Sequence, residues 1–562
     1  MTFRTNLTAF CFILLTTVAQ ADIVTPKHNA VASAHPLATK AGLEILQAGG
    51  NAFDAAVTVA SVLGVVEPYS AGIGGGGFWM LHQAKNNKTL MIDAREKAPA
   101  AATRDMFLNK KGAVDRDLAI NTALSAGIPG QAAAMAHLAE HYGTLPLGKT
   151  LAAAIHYADT GFPANKVYLQ LAKVRHSVLQ RYPASKRLFL LDGAEMDIGT
   201  LIRQPGLADT LQALAKDGFA GFYKGDVAKR LVKGVQAYGG IWTEQDLADY
   251  TVVERDPIRF NYQGATIWSA PPPSSGGVAL QQMFGMMSQF KYSDMNEADK
   301  THLLIEVMRR AYRDRAEYLG DSDFVKIPLN RITSEEYLQD LSDSISMAHA
   351  TPSSSLGLPK QVGSGTHTTH FSIIDKQGNQ VAATLSINLP FGNGVTIEGT
   401  GVLLNNEMDD FSAKPGSPNA YGLIGSEANA IEPGKRPLSS MTPTFMEFGP
   451  KDNRQLAVIG TPGGSRIITM VFLGLLEALD QKGIQSWVDR PRFHHQFAPD
   501  VVQYEDDAFD PKLKAALEKR GHTLKSVGRE YGDMHTVRWY QKNGEVEAAS
   551  DKRRLGYAEI SP

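Results

Sequence analysis

Hydrophobic residues recur at helical spacing near the start of the chain. Between Pro36 and Val66 this spacing predicts two packed helices, separated at Gly49-Gly50, with Asn51 able to cap the second. A helix-rich stretch continues to about Gln289. A long charged helix is then predicted from about Ala298 to Tyr318.

Short segments in which apolar and polar residues alternate predict strands in two parts of the chain. Phe78 to His82 and Thr89 to Asp93 flank the turn-forming pair Asn86-Asn87, which is typical of a β-hairpin. Thr369 to Ile374 and Val381 to Asn388 form a second pair of this kind. Both hairpins are expected to contribute to β-sheets.

A segment of different composition separates the first part of the chain from the second. Residues 351–365 are rich in Ser, Gly and Pro and lack periodicity, so they are predicted to form an exposed linker directly before a strand. Further on, a buried strand over Leu456 to Ile459 leads through Pro462-Gly463-Gly464 into a predicted helix from Ser465 to Leu479. This arrangement places backbone amides at a helix N-terminus.

Composition and charge exclude some classes of protein. Of the 562 residues 43% are hydrophobic and 20% are charged, which is enough apolar material for a large core. The formal net charge of -2 gives no field that would attract nucleic acid. No carboxylate and histidine set such as His-Glu-x-x-His supports a metallopeptidase, and no metal or cofactor is expected.

The N-terminus is typical of a signal peptide over residues 1–21. It has the basic Arg4, an apolar run from Phe10 to Val18 and the small-residue site Ala19-Gln20-Ala21. A membrane anchor is the alternative, but the apolar run is shorter than the roughly 20 residues that span a bilayer. The only cysteine is Cys11, so a mature chain would contain neither a disulfide nor a thiol nucleophile. We expect export to the periplasm, although a secreted protein would carry the same kind of signal peptide.

Two conspicuous motifs have plain structural interpretations. Gly74 to Gly77 could hold phosphate, but they lead into a strand and no Gly-Lys-Ser/Thr follows, so tight backbone packing is the better interpretation. His494-His495 could suggest a metal ligand pair. Adjacent side chains point to different sides of a helix or strand, so a structural role is expected.

Three other features could carry chemistry. The Gly463 and Gly464 amides could stabilise an oxyanion, although an ordinary turn with Ser465 as N-cap would have the same sequence. Arg95 could bind a carboxylate or could pair with Glu96 or Asp93 at the surface.

Thr368 begins a predicted strand, which β propensity alone can explain. Its position directly after the linker adds a second interpretation. Cleavage before Thr368 would give it a free α-amine with a pKa of about 8, beside its own hydroxyl, as an N-terminal nucleophile requires.

Several motifs in fixed order resemble those of the gamma-glutamyltransferase family of N-terminal nucleophile hydrolases. The resemblance covers almost the whole chain after the signal peptide. The motifs are Asp93 to Pro99, Pro271 to Gly277, Thr368 to Ser372, Asn405 to Ser412, Lys435 to Met441 and Pro462 to Ser465.

The resemblance implies a four-layer αββα sandwich, with two stacked and mainly antiparallel sheets flanked by helices. It also implies self-cleavage between His367 and Thr368. A large subunit of residues 22–367 and a small subunit of residues 368–562 would remain joined as a heterodimer.

The resemblance further implies a function and a set of site residues. The enzyme would transfer the gamma-glutamyl group of glutathione and related compounds to water or to amino acid or dipeptide acceptors. Thr368 would be the nucleophile, the Gly463 and Gly464 amides the oxyanion hole, and Ser386 a supporting hydroxyl. The substrate-binding residues implied are, for the α-carboxylate, Arg95, Ser439 and Ser440, and, for the α-ammonium, Asn388, Glu407 and Asp410.

Two positions refine this expectation. Many relatives have a threonine where this chain has Ser386, and a serine lacks the methyl group that restricts the rotamer. Residues 415–433, which include Tyr421, resemble a lid over the glutamate pocket.

Two rival functions remain open at this stage. A glutaryl or cephalosporin acylase of the same superfamily would use the same nucleophile on a substrate without the α-ammonium. A periplasmic binding protein would use the pocket without freeing Thr368.

Overall fold

The computed structural model describes residues 23–194, 196–357 and 368–561. The expected signal peptide, residue His367 and most of the predicted linker lie outside these residues. Eighteen strands lie within them. Their bounds are β1 Asn29–Ser33, β2 Gly76–Gln83, β3 Lys88–Ala94, β4 Phe162–Pro163, β5 Leu201–Ile202, β6 Val253–Arg255, β7 Ile258–Tyr262, β8 Ala265–Ser269, β9 Thr369–Ile374, β10 Gln380–Ser386, β11 Thr444–Phe448, β12 Gln455–Gly460, β13 Phe493–His494, β14 Val502–Tyr504, β15 Leu524–Ser526, β16 His535–Tyr540, β17 Val546–Ser550 and β18 Tyr557–Ser561.

The α-helices of the described residues fall into a large group before β6 and a smaller group after β8. Their bounds are α1 Pro36–Gln47, α2 Ala52–Val66, α3 Arg116–Asn121, α4 Gln131–His141, α5 Leu147–Thr150, α6 Ala152–Thr160, α7 Lys166–Leu179, α8 Pro183–Leu190, α9 Pro205–Asp217, α10 Phe219–Tyr223, α11 Gly225–Ala237, α12 Glu244–Ala248, α13 Gly276–Met287, α14 Glu297–Tyr318, α15 Leu329–Ile332, α16 Glu335–Asp343, α17 Ile467–Leu479, α18 Ile484–Asp489 and α19 Pro511–Lys519.

Two antiparallel sheets form the centre of the fold. The seven-stranded sheet has the order β18-β1-β9-β10-β2-β3-β6, and the six-stranded sheet has the order β17-β16-β12-β11-β8-β7. Every pairing within these two sheets is antiparallel. Each large sheet combines strands from before residue 357 with strands from after residue 368.

The seven-stranded sheet is buried on both faces, and alternate side chains enter different cores. In β2, Trp79 and Leu81 pack with the helices α1 and α2, whereas Phe78 and Met80 pack toward the six-stranded sheet. This alternation follows from the two-residue period of a strand. Helices α13 and α17 cover the outer face of the six-stranded sheet. The result is the predicted four-layer αββα sandwich.

Local sequence signals account for several elements. The side chain of Asn51 accepts hydrogen bonds from the amides of Phe53 and Asp54, and Asp54 accepts one from Asn51 N over 2.9 Å, which completes a capping box at the start of α2. Asn87 has a left-handed backbone with φ of 51°, which joins β2 to β3 as predicted.

The structure differs from the sequence-based prediction in two helical regions. The stretch up to Gln289 was expected to be helix-rich, but it also contains β6, β7 and β8. The turn from β7 to β8 uses Gln263 and Gly264, both with positive φ, as two-residue hairpins require. The predicted helix from Ser465 begins later, because residues Gly464–Arg466 form a 3₁₀ turn before α17.

Helix α14 was predicted as a charged helix, and five of its charged side chains are buried. Glu306, Arg309, Arg310, Asp314 and Arg315 are all at most 5% exposed. Buried charges of this kind require partners or a function. Among the described residues, no helix is both long and apolar enough to cross a bilayer.

Candidate active site

Thr368 lies directly before β9, in the middle of the seven-stranded sheet. Its neighbour Thr369 faces the helical layer, where its hydroxyl donates a 2.9 Å hydrogen bond to the carboxylate of Glu67. By the alternation of a strand, the Thr368 side chain faces the space between the two sheets. It is 3% exposed.

A small pocket opens at this point. It brings together polar residues from both halves of the chain with a few apolar ones. Its walls are formed by Arg315, Thr368, Ser386, Asn388, Glu407, Asp410, Tyr421, Leu423, Ser439, Ser440, Met441, Gly464, Ser465 and Ile467. Eight of the site residues predicted from the sequence therefore share one pocket with Thr368. Arg95 and Gly463 were also predicted, and they do not line it.

The acidic side of the pocket carries unused hydrogen-bond acceptors. Glu407 and Asp410 belong to the 3₁₀ turn Glu407–Asp410. Glu407 Oε2 and Asn388 Oδ1 are buried and accept no hydrogen bond from the described residues. Asn388 is held by its Nδ2, which donates to Asn406 O over 2.8 Å. Buried acceptors without partners are costly, so these two atoms are suited to a cationic donor group.

Burial also shifts the pKa values of the two acids in this turn. It raises the pKa of Glu407 to about 7, although Arg95 acts in the opposite direction. The pKa of Asp410 is raised by the same cause. An ammonium group placed beside these carboxyls would favour their ionised forms.

Arg95 follows β3 and is completely buried. Its Nη1 pairs with Glu407, its Nη2 donates to Asp410 Oδ2 over 2.6 Å, and its Nε donates to Pro437 O over 3.1 Å. Burial alone would lower the pKa of Arg95, but Glu407 and Asp410 hold it above the ordinary value. The alternative considered from the sequence was a pairing with Glu96 or Asp93 at the surface. Nη1 does lie 3.5 Å from Glu96 Oε2, but both side chains are buried, so the surface location is wrong.

The serine pair is held by another of the sequence motifs. The Ser439 amide donates to Pro273 O over 2.8 Å, and Ser275 N donates to Ser439 O over 2.8 Å. These two backbone hydrogen bonds fix the serine pair against the turn at residues 271–277, so both motifs contribute to the site. Ser440 Oγ accepts a 3.2 Å hydrogen bond from Arg315 Nη2. Arg315 was not identified from the sequence.

The glycine turn before α17 has a backbone that other residues avoid. Gly463 has φ of 149°, and a Cβ there would lie 2.4 Å from Met470 Cε. Gly464 has φ of 58°. Within the described residues, neither amide donates a hydrogen bond. Ser465 does not cap a helix as the ordinary interpretation required. Its Oγ donates to Gln496 Oε1 over 2.8 Å instead.

The segment over the pocket is fixed by hydrogen bonds. Tyr421 is 5% exposed, and its hydroxyl donates to Asn388 O over 2.7 Å. Asn419 Nδ2 donates to Asp410 Oδ1 over 3.0 Å. Residues 415–433 therefore cover the acidic side of the pocket, as a lid would.

Ser386 lies opposite Thr368 across the sheet. The register pairs Thr369 with Leu385, which brings Ser386 level with Thr368. Ser386 Oγ accepts a 2.8 Å hydrogen bond from Asn388 N, and no hydrogen bond joins it to Thr368 within the described residues. In this geometry Ser386 supports the Asn388 loop.

The two motifs with plain interpretations are structural. A Cβ on Gly75 would lie 2.1 Å from Ser386 O, so the glycine run permits tight packing against β10. His494 contacts Thr469 Oγ1 at 2.9 Å, and His495 contacts Asp500 Oδ1 at 3.2 Å, both from buried positions.

The pocket brings the Thr368 hydroxyl close to the glycine turn, whose two amides donate no hydrogen bond within the described residues, and to the acidic side formed by Glu407 and Asp410. Such a set can carry out acyl transfer, since the hydroxyl supplies the nucleophile and the amides stabilise an oxyanion. A threonine at the start of a central strand in an αββα sandwich defines the class of N-terminal nucleophile hydrolases.

Sequence and structure comparisons place the chain within this class. The model of the Gamma-glutamyltranspeptidase family matches residues 38–561, and the chain belongs to this family. Among curated proteins, it is 41% identical to the glutathione hydrolase proenzyme of Escherichia coli (strain K12), over 95% of this chain and 91% of the relative. It is also 41% identical to the glutathione hydrolase proenzyme of Pseudomonas aeruginosa, over 94% of each chain.

Solved structures give the same fold. A cephalosporin acylase from Bacillus halodurans superposes with a TM-score of 0.84 at 27% identity, covering 98% of this chain and 99% of the other. A gamma-glutamyltranspeptidase from Helicobacter pylori gives a TM-score of 0.56 at 39% identity, covering 57% of this chain and 93% of the other.

Proposed function

We propose that the protein hydrolyses glutathione and transfers gamma-glutamyl groups through an acyl-enzyme on Thr368. One observation carries the proposal: the nucleophile shares its pocket with two buried acceptor atoms, Asn388 Oδ1 and Glu407 Oε2, that have no partner among the described residues. An α-ammonium group supplies the missing donors. The curated relatives named glutathione hydrolases support the same assignment.

The reaction begins when Thr368 Oγ attacks the gamma-carbonyl carbon, and the Thr368 α-amine takes the hydroxyl proton. The Gly463 and Gly464 amides stabilise the resulting oxyanion. The C–N bond then breaks, and the amine leaves with the proton. Water or the amine of an amino acid or dipeptide then attacks the ester carbonyl carbon. The bond from that carbon to Thr368 Oγ breaks, and a proton from the attacking group restores the hydroxyl. Asp410 and Glu407 hold the α-ammonium during both halves.

The α-amine has to be made by cleavage of the chain. Thr368 Oγ attacks the carbonyl carbon of His367, the peptide bond shifts to an ester, and water hydrolyses that ester. The products are residues 22–367 and 368–562, which stay together as a heterodimer after export and removal of residues 1–21. The relatives' description as proenzymes supports this maturation.

The acylase is the second candidate, because the Bacillus halodurans structure that superposes over nearly the whole chain is a cephalosporin acylase. A glutaryl substrate lacks the α-ammonium and would leave the acidic wall unpaired. Sites built around a polar substrate group reject analogues without it by roughly 10⁴-fold in the best cases. The acidic wall therefore favours the gamma-glutamyl substrate.

The test compares kcat/KM for a gamma-glutamyl anilide with that for the matched glutaryl anilide. We expect the gamma-glutamyl compound to be preferred by at least about 10²-fold. Asp410→Asn should lower the ratio of the two kcat/KM values, because it slows only the gamma-glutamyl reaction. Asp452→Asn, at an exposed position, should leave this ratio unchanged. Equal rates in the wild-type enzyme would replace the proposal with the acylase.

A further inference from the structure

Gln496 lies between the lid over the pocket and the glycine turn, and it forms hydrogen bonds with both. It follows β13 and is 4% exposed. Its Nε2 donates to the backbone oxygen of Tyr421 in the lid over 3.3 Å. Its Oε1 accepts from Ser465 Oγ, directly after the glycine turn, over 2.8 Å. One side chain therefore contacts the segment that covers the pocket and the turn that carries the oxyanion amides.

The partners of Gln496 determine which end of its amide faces the lid. Its NH₂ group faces two carbonyl oxygens, Tyr421 O and Ala498 O at 3.2 Å, which can only accept. Burial lowers the pKa of His494 to about 3, so this ring is neutral and carries one N–H. With that proton on Nε2, His494 donates to Gln496 Oε1 over 2.9 Å. The amide then uses both donors and both lone pairs, and a buried network satisfied in this way favours a single arrangement.

The glycine turn depends on support from outside. Gly463 and Gly464 have no side chains that could hold their backbone in place. The residue after them, Ser465, is held at two points: its Oγ donates to Gln496, and its backbone oxygen accepts from the hydroxyl of Tyr312. An oxyanion donor is effective only within roughly 3 Å of the oxyanion. A shift of Ser465 would therefore carry the Gly464 amide out of its effective position.

The lid is also held at two points by Tyr421. Its hydroxyl donates to Asn388 O over 2.7 Å, on the acidic side of the pocket. Its backbone oxygen accepts from Gln496 Nε2. The lid and the glycine turn thus each have one independent support and share Gln496 as the other.

We propose that Gln496 is a positioning residue that couples the lid to the oxyanion turn. This inference rests on the function proposed above. When the lid covers the pocket, Tyr421 O holds one end of the Gln496 amide, and the other end holds Ser465. When the lid moves away, the amide loses that partner and the turn loses part of its support. Oxyanion stabilisation is then complete only while the lid covers the substrate.

The kinetic test asks whether the two supports act through Gln496. Ser465→Ala removes the bond from the turn to Gln496, and Tyr421→Phe removes the other support of the lid. In the wild-type background, the loss of kcat/KM for a gamma-glutamyl anilide in the double variant should differ at least about threefold from the product of the single losses. In the Gln496→Met background the losses should multiply within about twofold, because the connection is gone. Gln245→Met, at an exposed position, is the matched control and should preserve the wild-type coupling.

Hydrogen exchange tests the same connection without substrate. Ser465→Ala lies in the turn, but it should speed exchange of the lid amides, such as that of Leu423, at least about threefold. Ser293→Ala, at an exposed position, should leave their exchange unchanged. This measurement also covers the case in which Gln496→Met fails to fold, since it needs only Ser465→Ala.

The outcomes separate the inference from the function on which it rests. Absence of gamma-glutamyl anilide turnover in the wild type overturns the proposed function, while the exchange experiment still tests the connection. Wild-type exchange of the lid amides in Ser465→Ala overturns the role of Gln496. Equal non-additivity with and without Gln496 also overturns it, because the coupling would then run through other residues.

Discussion

Nη2 of Arg95 donates to Oδ2 of Asp410 over 2.6 Å, and Nη1 of the same guanidinium pairs with Glu407. One cation therefore lies behind both acids on the acidic side of the pocket. It holds them in place without lining the pocket itself.

Removing this cation should destabilise the protein. Arg95→Gln leaves two neighbouring buried carboxyls without their partner, at a cost of about 3 kcal/mol. Adding Asp410→Asn should restore part of the loss, because one of the uncompensated charges is then gone. Thermal unfolding of the two single variants and the double variant measures this coupling. Lys27→Gln, in an exposed ion pair, is the control and should shift stability by no more than about 0.5 kcal/mol.

Maturation should depend on the Thr368 hydroxyl. Thr368→Ala is expected to remain a single chain without activity, whereas Thr368→Ser keeps the hydroxyl and should still be cut. Intact mass and N-terminal sequencing of the small fragment check both outcomes. Efficient cleavage of Thr368→Ala at the same bond would mean that another protease makes the cut.

The parts of the fold that sequence could predict are those with local causes. The Asn51 cap, the turn at Asn87 and strand β9 depend on neighbours within a few residues. The ion pairs of Arg95 and the exposure of Arg315 to the pocket depend on loops that meet only after packing. Sequence could place Arg95 at a strand end, but it could not show that Glu407 would reach it.

Two turns had sequence signals that more than one structure could explain. Gln263 and Gly264 mark a tight turn between two short runs of strand-forming residues, and the sequence-based prediction of a helix-rich stretch missed these strands. The 3₁₀ turn before α17 arises because both Gly463 and Gly464 take positive φ, which sequence alone does not reveal.

Substrate affinity should depend on pH through Glu407. Its pKa is raised to about 7, and an ammonium group binds the ionised form. Inhibition by L-glutamate should therefore strengthen by up to about tenfold as pH rises from about 6 to 7.5, since Glu407 changes from mostly protonated to mostly ionised over that range. Glu407→Gln should flatten this dependence. The exposed replacement Glu545→Gln should retain it, and a pH-independent inhibition constant in the wild type would contradict the assignment.

Gly463 should affect the chemical step. In Gly463→Ala the new Cβ would meet Met470 and the positive φ would be strained, so both amides of the turn should move. Loss of an oxyanion donor lowers kcat by about 10² to 10³. KM should change little. Gly483→Ala, with open space around its Cβ position, is the matched control. A wild-type kcat for Gly463→Ala would remove this turn from the mechanism.

Both large sheets take strands from each side of the proposed cleavage site, and this has a consequence for the enzyme after cleavage. Strand β9 lies between β1 and β10, β2 pairs with β10, and β8 pairs with β11, so both sheets cross from one piece of the chain to the other. Pulling the pieces apart would break hydrogen bonds in both sheets and open both cores. Two differently labelled preparations of mature enzyme should therefore form no hybrids on mixing, and a piece lost by denaturation should not be replaced from solution. Each mature molecule would keep, for its lifetime, the two fragments of the single chain from which it folded.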